Sequence, residues 1–254
     1  MKVHKFPTQF PIDNQMLFYL NHKLSFFYSF SNNLKKNPNN FQKLLKNYEI
    51  IYCKFCLLVQ NHLFFHKKDL LEKKTLLFFH GNAGDLKNRI YKLNLIKDFD
   101  INFLIVAYRG FSGNEGSPSE KGLYQDARDT IAWLNEQGIK DRQIIIYGES
   151  LGTGVSVEVA QNKNFAGIIL ETPFTSMVAA GKSKYPIFPI KLLLKDKYES
   201  DKKIKNIKSP VLIMHGEEDQ IVPFWMGEKM FQMANEPKYS YFTKFDDHMM
   251  EYDE

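Results

Sequence analysis

A serine at the tip of a tight turn is the residue whose setting most strongly suggests chemistry in this sequence. The pentapeptide GESLG, residues 148–152, follows the apolar run IIIY and precedes a helical pattern. A sharp turn from a buried strand into a helix is typical of a nucleophile elbow, which holds its central side chain exposed in a strained conformation. Gly148 and Gly152 supply the small residues that such a turn needs. The pattern therefore predicts that Ser150 is a nucleophile.

A serine hydroxyl is a weak nucleophile, so Ser150 requires a nearby general base. It also requires hydrogen-bond donors for the negative charge that develops on the attacked oxygen. Leu151 begins the predicted helix, and the backbone N–H groups of the first helical turn have no partner within the helix. We therefore expect the N–H of Leu151 to be one oxyanion donor.

The elements that position this turn follow a regular order from residue 75 onward. Apolar strands alternate with helices, and Gly-containing turns follow the strands that end at His80, Tyr147 and His215. Strands that are apolar throughout predict a mostly parallel, twisted sheet covered by helices on both faces, an α/β fold. The carboxyl ends of such strands are where sites form. One helix, 121–138, should bury a face made of Leu123, Ala127, Ile131 and Leu134.

Size and charge indicate how the chain is organised. The chain has 254 residues, 44% of them hydrophobic and 25% charged, which is ordinary for a globular protein. Residues 75–254 are predicted to form the catalytic domain. Residues 1–74 form a basic segment that we expect to contribute edge strands and a helix to the same domain, with one or two antiparallel strands in its second half.

The basic segment raises the question of an anionic partner. Its charge balance is +8, against −3 for the remainder of the chain. A weak peripheral contact with an anionic membrane is one interpretation, but the segment has no long amphipathic pattern, which favours a solvated lysine face. No nucleic-acid-binding motif is present. With no apolar run long enough to span a bilayer and no signal peptide, the sequence predicts a cytoplasmic protein.

Two cysteines, Cys53 and Cys56, form a lone C-x-x-C in a stretch that looks like a strand. A structural zinc site needs four ligands, and His62 follows Cys56 too closely for a zinc finger. A redox pair would precede a helix instead. We therefore interpret both cysteines as reduced thiols and expect no metal site.

Six motifs in order resemble the α/β-hydrolase superfamily, in particular its small-lid branch of serine-aminopeptidase-like domains and lipid or acyl-protein esterases. The resemblance covers about residues 75–250. The motifs are FFHGNAGD, YRGFSGNEGSPSE, GESLGTG, ETPFTS, PVLIMHGEEDQIVP and DDHMM. The order Ser150, Asp219, His248 is the chain order that this fold uses for its catalytic triad.

The resemblance assigns roles to the other residues of the site. It makes Asp219 the triad acid in place of its neighbours Glu217 and Glu218, and His248 the general base. It makes the backbone N–H of Asn82 the second oxyanion donor. His80 and His215 precede glycines at strand ends, where we interpret them as hydrogen-bonding residues of the scaffold.

In this superfamily the insertion between two late strands is the lid, and here it spans about residues 172–209. Such a short lid implies a shallow site. Its apolar residues, with Phe188 foremost, either form a wall for an acyl chain or pack into the core, and the composition favours core packing for most of them. The residues concerned are Ile187, Phe188, Ile190, Leu192 and Leu193.

The expected function is hydrolysis of carboxylic esters or thioesters of a small-molecule or acyl substrate through an acyl-enzyme on Ser150. No cofactor is expected, because the second substrate is water. Two alternatives stay open: a serine peptidase of the aminopeptidase-like type, and a non-catalytic binding protein on the same fold. The intact Ser, Asp and His disfavour the non-catalytic alternative.

Overall fold

The computed structural model describes residues 49–55, 60–66, 70–83, 89, 92 and 99–250. The predictions made for residues 1–48 concern residues outside this description, and the helical sequence pattern at 86–99, LKNRIYKLNLIKDF, also lies almost wholly outside it. Cys56 also lies outside it, as does the side chain of Cys53.

Eight strands form one sheet within the described part of the chain. In chain order they are β1 (Glu49–Phe55), β2 (Gln60–His66), β3 (Lys74–Phe79), β4 (Ile101–Val106), β5 (Ile144–Glu149), β6 (Gly167–Glu171), β7 (Val211–Gly216) and β8 (Lys238–Thr243). Their spatial order is β1-β2-β4-β3-β5-β6-β7-β8. Six neighbouring strands run parallel to one another, in the spatial order β4, β3, β5, β6, β7 and β8. Strands β1 and β2 extend the β4 edge of the sheet in antiparallel pairing. The prediction of a mostly parallel sheet is confirmed.

Helices cover this sheet. The described ones are α1 (Glu120–Glu136), α2 (Leu151–Ala160), α3 (Met177–Lys184), α4 (Ile190–Leu193), α5 (Ser200–Lys203) and α6 (Phe224–Met233), with short 3₁₀ turns at Asp141–Gln143 and Ile204–Asn206. Within the described residues, no helix combines the length and the apolar character that crossing a bilayer requires.

The longest of these helices shows why the sequence forms the elements it does. The Ser119 hydroxyl accepts a hydrogen bond from the backbone N–H of Gly122 at 3.2 Å, which caps the amino end of α1. Gly138, at a φ of 92°, follows its carboxyl end. The predicted apolar face is confirmed as buried, and each large side chain on it contributes about 1.5–3 kcal/mol through burial. Its members are Leu123, Ala127, Ile131 and Leu134.

The strand register places the loops that follow the parallel strands at one edge of the sheet. Phe79 pairs with Gly148, and Glu149 pairs with Glu171. Strand β6 pairs in parallel with β7, which in turn pairs in parallel with β8. The segments that follow these strands therefore all leave the sheet on the same side. The sheet centre beneath them is a buried apolar core, because helices shield both faces of the strands.

Candidate active site

The turn between β5 and α2 has the strained geometry predicted for it. Ser150 adopts a φ of 50° and a ψ of −113°, a conformation that few non-glycine residues take. Close packing explains the flanking glycines. A Cβ atom at Gly152 would lie 1.9 Å from the carbonyl oxygen of Phe79, and one at Gly148 would lie 2.5 Å from the carbonyl oxygen of Gly152. The chain can turn here only because both positions lack a side chain.

His248 connects the serine to a carboxylate. Its Nε2 atom lies 3.0 Å from Ser150 Oγ, and its Nδ1 atom lies 2.8 Å from Asp219 Oδ2. A carboxylate can only accept, so Nδ1 carries the proton and donates it to Asp219. Nε2 is then free to accept the hydroxyl proton of Ser150, which is the position of a general base. The structure thus brings together three side chains that are 98 and 29 residues apart in the chain.

Asp219 is buried and fully hydrogen-bonded. Its Oδ1 atom accepts from the backbone N–H groups of Ile221 and Val222, each at 2.8 Å. Its Oδ2 atom, which His248 contacts, also lies 3.2 Å from Nε2 of the buried His215. Burial alone would raise the pKa of this carboxyl, but the hydrogen bonds from His215 and His248 outweigh it and hold the pKa well below its usual range. Asp219 therefore stays ionised near neutral pH.

The neighbouring carboxylates lie elsewhere. Glu217 and Glu218 are exposed to solvent, whereas Asp219 turns inward. His215 also has the hydrogen-bonding role predicted for it, because its Nε2 atom lies 2.9 Å from the carbonyl oxygen of Val222. This contact fixes the turn that carries the aspartate.

The loop after β3 lies against the elbow. A Cβ atom at Gly81 would lie 3.3 Å from Ser150 Cβ, so the backbone that leads to Asn82 passes directly beside the serine. Leu151, the residue after Ser150, is the first residue of α2. His80 fixes the start of this loop, with Nδ1 lying 2.7 Å from the carbonyl oxygen of Gly81. Burial lowers the pKa of His80 to about 4, so the ring is uncharged near neutral pH.

Comparison with known proteins agrees with this geometry. The sequence model of the prolyl oligopeptidase family matches residues 118–247, just over half of the chain, and this region includes Ser150 and Asp219. The chain belongs to this family, within the α/β-hydrolase superfamily. The human alpha/beta hydrolase domain-containing protein 17B is 37% identical over 171 residues, which cover 65% of this chain and 57% of that protein.

Two further relatives extend the comparison. The zebrafish lysophosphatidylserine lipase ABHD12 is 32% identical over 187 residues, which cover 65% of this chain and 48% of the lipase. The chain thus spans about half the length of these curated relatives. An α/β hydrolase from Vibrio vulnificus has the same fold, with a TM-score of 0.65 and 23% identity over 82% of this chain and 79% of that one. The resemblance to the α/β-hydrolase superfamily is confirmed.

A buried group of four charged side chains lies below the serine of this hydrolase, and none of the predictions from sequence included it. Glu149 and Glu171 end the neighbouring strands β5 and β6, and Arg89 and Lys92 reach them from the segment after β3. Arg89 Nη2 lies 3.1 Å from Glu149 Oε1. Lys92 Nζ lies 2.5 Å from Glu171 Oε2 and 3.8 Å from Glu149 Oε2. All four side chains are at least nine-tenths buried.

This charge cluster holds the loop beside the serine. Glu149 accepts a hydrogen bond from the backbone N–H of Gly81, and Arg89 Nη2 donates to the carbonyl oxygen of Ala83 at 2.7 Å. Gly81 and Ala83, the residues on either side of Asn82, are therefore hydrogen-bonded to Glu149 and Arg89, respectively. Burial raises the pKa of the Glu149 carboxyl, and the charge of Arg89 opposes that shift. A signal was present in the sequence: two carboxylates that end apolar neighbouring strands need buried cations.

Removing one cation from this cluster should destabilise the protein strongly. Arg89→Met leaves Glu149 as a buried carboxylate without its closest cation, which typically costs about 3–5 kcal/mol. Urea denaturation measures the loss. Arg128→Met is the matched control, since Arg128 is half exposed and pairs with Glu158 at the surface, where such pairs contribute at most about 1 kcal/mol. Equal losses of unfolding free energy in the two variants would show that the buried ion pair contributes no more to stability than the surface pair.

The lid contradicts one expectation. Core packing was predicted for most of five apolar lid residues, Ile187, Phe188, Ile190, Leu192 and Leu193, but of these five only Ile190 is buried. Phe188 is 58% exposed in the turn between α3 and α4, with its ring edge-on to that of Tyr185. Three other predicted core residues are also exposed, namely Ile187, Leu192 and Leu193. Ile190 packs against Gly181 of α3, and the other four side chains remain at the surface.

Proposed function

We propose that this hydrolase cleaves carboxylic esters or thioesters of acyl groups through an acyl-enzyme on Ser150. One observation carries the proposal: a single imidazole, that of His248, lies 3.0 Å from a strained serine hydroxyl and 2.8 Å from a buried carboxylate. A histidine so placed can accept the serine proton at one nitrogen while the aspartate holds the other. A non-catalytic binding protein would have no need for this alignment.

The proposed reaction has two halves. Ser150 Oγ attacks the acyl carbonyl carbon while its proton passes to His248 Nε2, and the C–O or C–S bond breaks as the imidazolium returns that proton to the leaving alcohol or thiol. Water then attacks the acyl-enzyme, again losing a proton to His248 Nε2. Collapse of the second intermediate releases the carboxylic acid and restores the serine. The ionised Asp219 stabilises the imidazolium in both halves.

Two backbone amides are proposed to bind the oxyanion. The N–H of Leu151 lies at the amino end of α2, where the helix dipole favours negative charge. The N–H of Asn82 lies in the loop that the charge cluster fixes beside Ser150. In comparable sites, loss of one such donor costs about 2.7–4 kcal/mol of transition-state stabilisation.

Peptide hydrolysis is the second candidate, and the match to the prolyl oligopeptidase family favours it. The exposed apolar lid favours acyl substrates, as does the similarity to a lipase of lysophosphatidylserine. Turnover of aminoacyl amides compared with that of oxygen esters and thioesters of one acyl group separates the candidates. A strict preference for amides would overturn the ester proposal.

Acyl-chain length should matter only over the first few carbons in soluble substrates. Each methylene buried in the site contributes about 0.8 kcal/mol, so specificity should rise by up to about fourfold per carbon. We expect a plateau by about C4 to C8, where the chain leaves a shallow pocket walled by Phe188. The measurement is kcat/KM over a series of straight-chain esters.

Substitution of the proposed wall gives this prediction a control. Phe188→Ala should shift the optimum length and change acetyl-ester turnover little. Phe99→Ala is the matched variant, because Phe99 is 60% exposed at the amino end of β4, on the side of the sheet away from Ser150. A specificity that continues to rise to long chains in both variants would contradict a shallow site walled by Phe188.

A further inference from the structure

Exposed apolar side chains are concentrated on the active-site side of the sheet. Of the thirteen large hydrophobic side chains that are exposed in the described part of the chain, nine lie in segments that follow the carboxyl ends of β6, β7 and β8. Five of the nine belong to the segment 177–197, which we call the lid surface. They are Tyr185, Ile187, Phe188, Leu192 and Leu193.

The lid surface is held in place at its base. The backbone N–H of Met177 donates to the carbonyl oxygen of Lys197 at 2.8 Å, which closes the two ends of the excursion on each other. Asp196 accepts from the backbone N–H of Glu120 at 2.9 Å, and Glu120 in turn accepts from the N–H of Lys197 at 2.7 Å. The excursion is thereby fixed to the amino end of α1. The apolar side chains of the lid surface therefore project from a loop whose two ends are hydrogen-bonded to each other and to the amino end of α1.

Internal packing leaves these side chains facing outward. Ile190 packs so closely on Gly181 that a Cβ atom there would lie 2.8 Å from the isoleucine Cγ2. This contact joins α3 to α4 and uses the buried apolar residue of α4. Leu192 on the same short helix is 84% exposed, and Ile187 in the preceding turn is 93% exposed. An ordered surface with this much apolar exposure is typical of a docking site.

The positive charge of the lid surface indicates what kind of partner would bind there. Residues 177–197 contain five lysines and one acidic residue, Asp196, whose carboxylate is already bound to α1. Four of these lysines are exposed and none of the four is paired with a carboxylate among the described residues: Lys182, Lys184, Lys191 and Lys195. A second copy of the chain would place these cations against one another. A bilayer with anionic headgroups matches both the lysines and the apolar side chains.

We propose that the lid surface docks on an anionic phospholipid membrane. Its apolar side chains enter the boundary between headgroups and acyl chains, and its lysines contact the headgroup phosphates. The second half of the proposal rests on the proposed function: an acyl ester held in the membrane would reach Ser150 along this surface. Only its first carbons need to enter a shallow site, while the remainder of the chain stays in the bilayer.

Vesicle partition of the full chain tests the docking. The wild-type protein should sediment with phosphatidylcholine–phosphatidylserine vesicles and less with phosphatidylcholine vesicles. Binding should weaken as salt rises from about 0.1 M to about 1 M, where the Debye length falls from about 10 to about 3 Å. Leu192→Asp should reduce partition about tenfold or more, because it exchanges an inserted apolar group for a repelled charge. Leu71→Asp, at an exposed leucine on the amino side of β3, should leave partition unchanged.

Three results would overturn the proposal. One is equal partition of the Leu192→Asp and wild-type proteins. A second is loss of binding on replacing the lysines before residue 48 with glutamine while the lid surface is intact. A third is a wild-type dimer in sedimentation velocity that Leu192→Asp dissociates, since a second copy would then cover the face. Hydrolysis of soluble short-chain esters separates the two proposals, because Leu192→Asp should leave it unchanged and its absence in the wild type would count against the proposed function alone.

Discussion

Ser150→Ala is expected to abolish both labelling by a fluorophosphonate probe and turnover of esters. The alanine has no oxygen to form the acyl-enzyme, and His248 then has no proton to accept. In a comparable triad, removal of the serine lowers kcat by about 10⁶-fold, with residual catalysis from the oxyanion donors and substrate binding. Gel fluorescence of the labelled protein and initial-rate kinetics measure the two effects.

The stability of this variant should hardly change. Ser150 is only partly buried, and its hydroxyl is hydrogen-bonded to His248, a partner that is itself partly exposed. Alanine keeps the same backbone strain at a φ of 50°, so the melting temperature should match that of the wild type. Ser183→Ala removes an exposed serine from α3 and should keep full labelling. Equal labelling of the Ser150→Ala protein would mean that another residue is the nucleophile.

The fold and the close approach of Ser150, His248 and Asp219 are the parts that the sequence could predict. The parallel strands inside the sheet are apolar on both faces, so their pattern is visible in runs such as residues 144–147. Ser150 lies between two glycines that local geometry requires, and His248 and Asp219 follow strands whose ends share one edge of the sheet. Each of these features depends on residues close in sequence or on the register of a parallel sheet. Both can be inferred before the structure is known.

The charge cluster and the exposed lid depend on contacts that local pattern does not contain. Lys92 and Glu171 are 79 residues apart, and neither has a neighbour in sequence that predicts the other. Because the lid residues are apolar, the sequence predicts that they are buried in the core. Whether an apolar side chain is buried, however, depends on what covers it. Here the segment closes on itself at Met177 and Lys197, and of the five apolar residues predicted as core only Ile190 becomes buried, against Gly181.

Asp219→Asn is expected to lower turnover by about 10⁴-fold, the loss seen when the acid of a comparable triad becomes an amide. The carboxylate accepts from His248 Nδ1 and so keeps Nε2 available for the serine proton. An amide group can donate to Nδ1 instead, which places the proton on the wrong nitrogen. It also lacks the charge that stabilises the imidazolium. The measurement is kcat with a soluble ester at neutral pH.

The same substitution should reveal a pH dependence of stability. Because the folded protein holds the pKa of Asp219 below its unfolded value of about 3.9, the ionised carboxylate stabilises the fold above that pH. This stabilisation is lost as the pH falls toward the folded pKa. The difference in unfolding free energy between wild type and Asp219→Asn should therefore be constant near neutral pH and shrink below about pH 4. Urea titrations at a series of pH values follow it.

The exposed neighbour of Asp219 supplies the matched control for the catalytic effect. Glu218 is one residue away, carries the same charge and faces solvent, so Glu218→Gln should change turnover little. Removal of a surface charge alone then cannot explain the loss in Asp219→Asn. If Glu218→Gln lost activity and Asp219→Asn kept it, the acid of the triad would be wrongly assigned. The 2.8 Å contact between His248 and Asp219 would then be a structural hydrogen bond with no part in proton transfer.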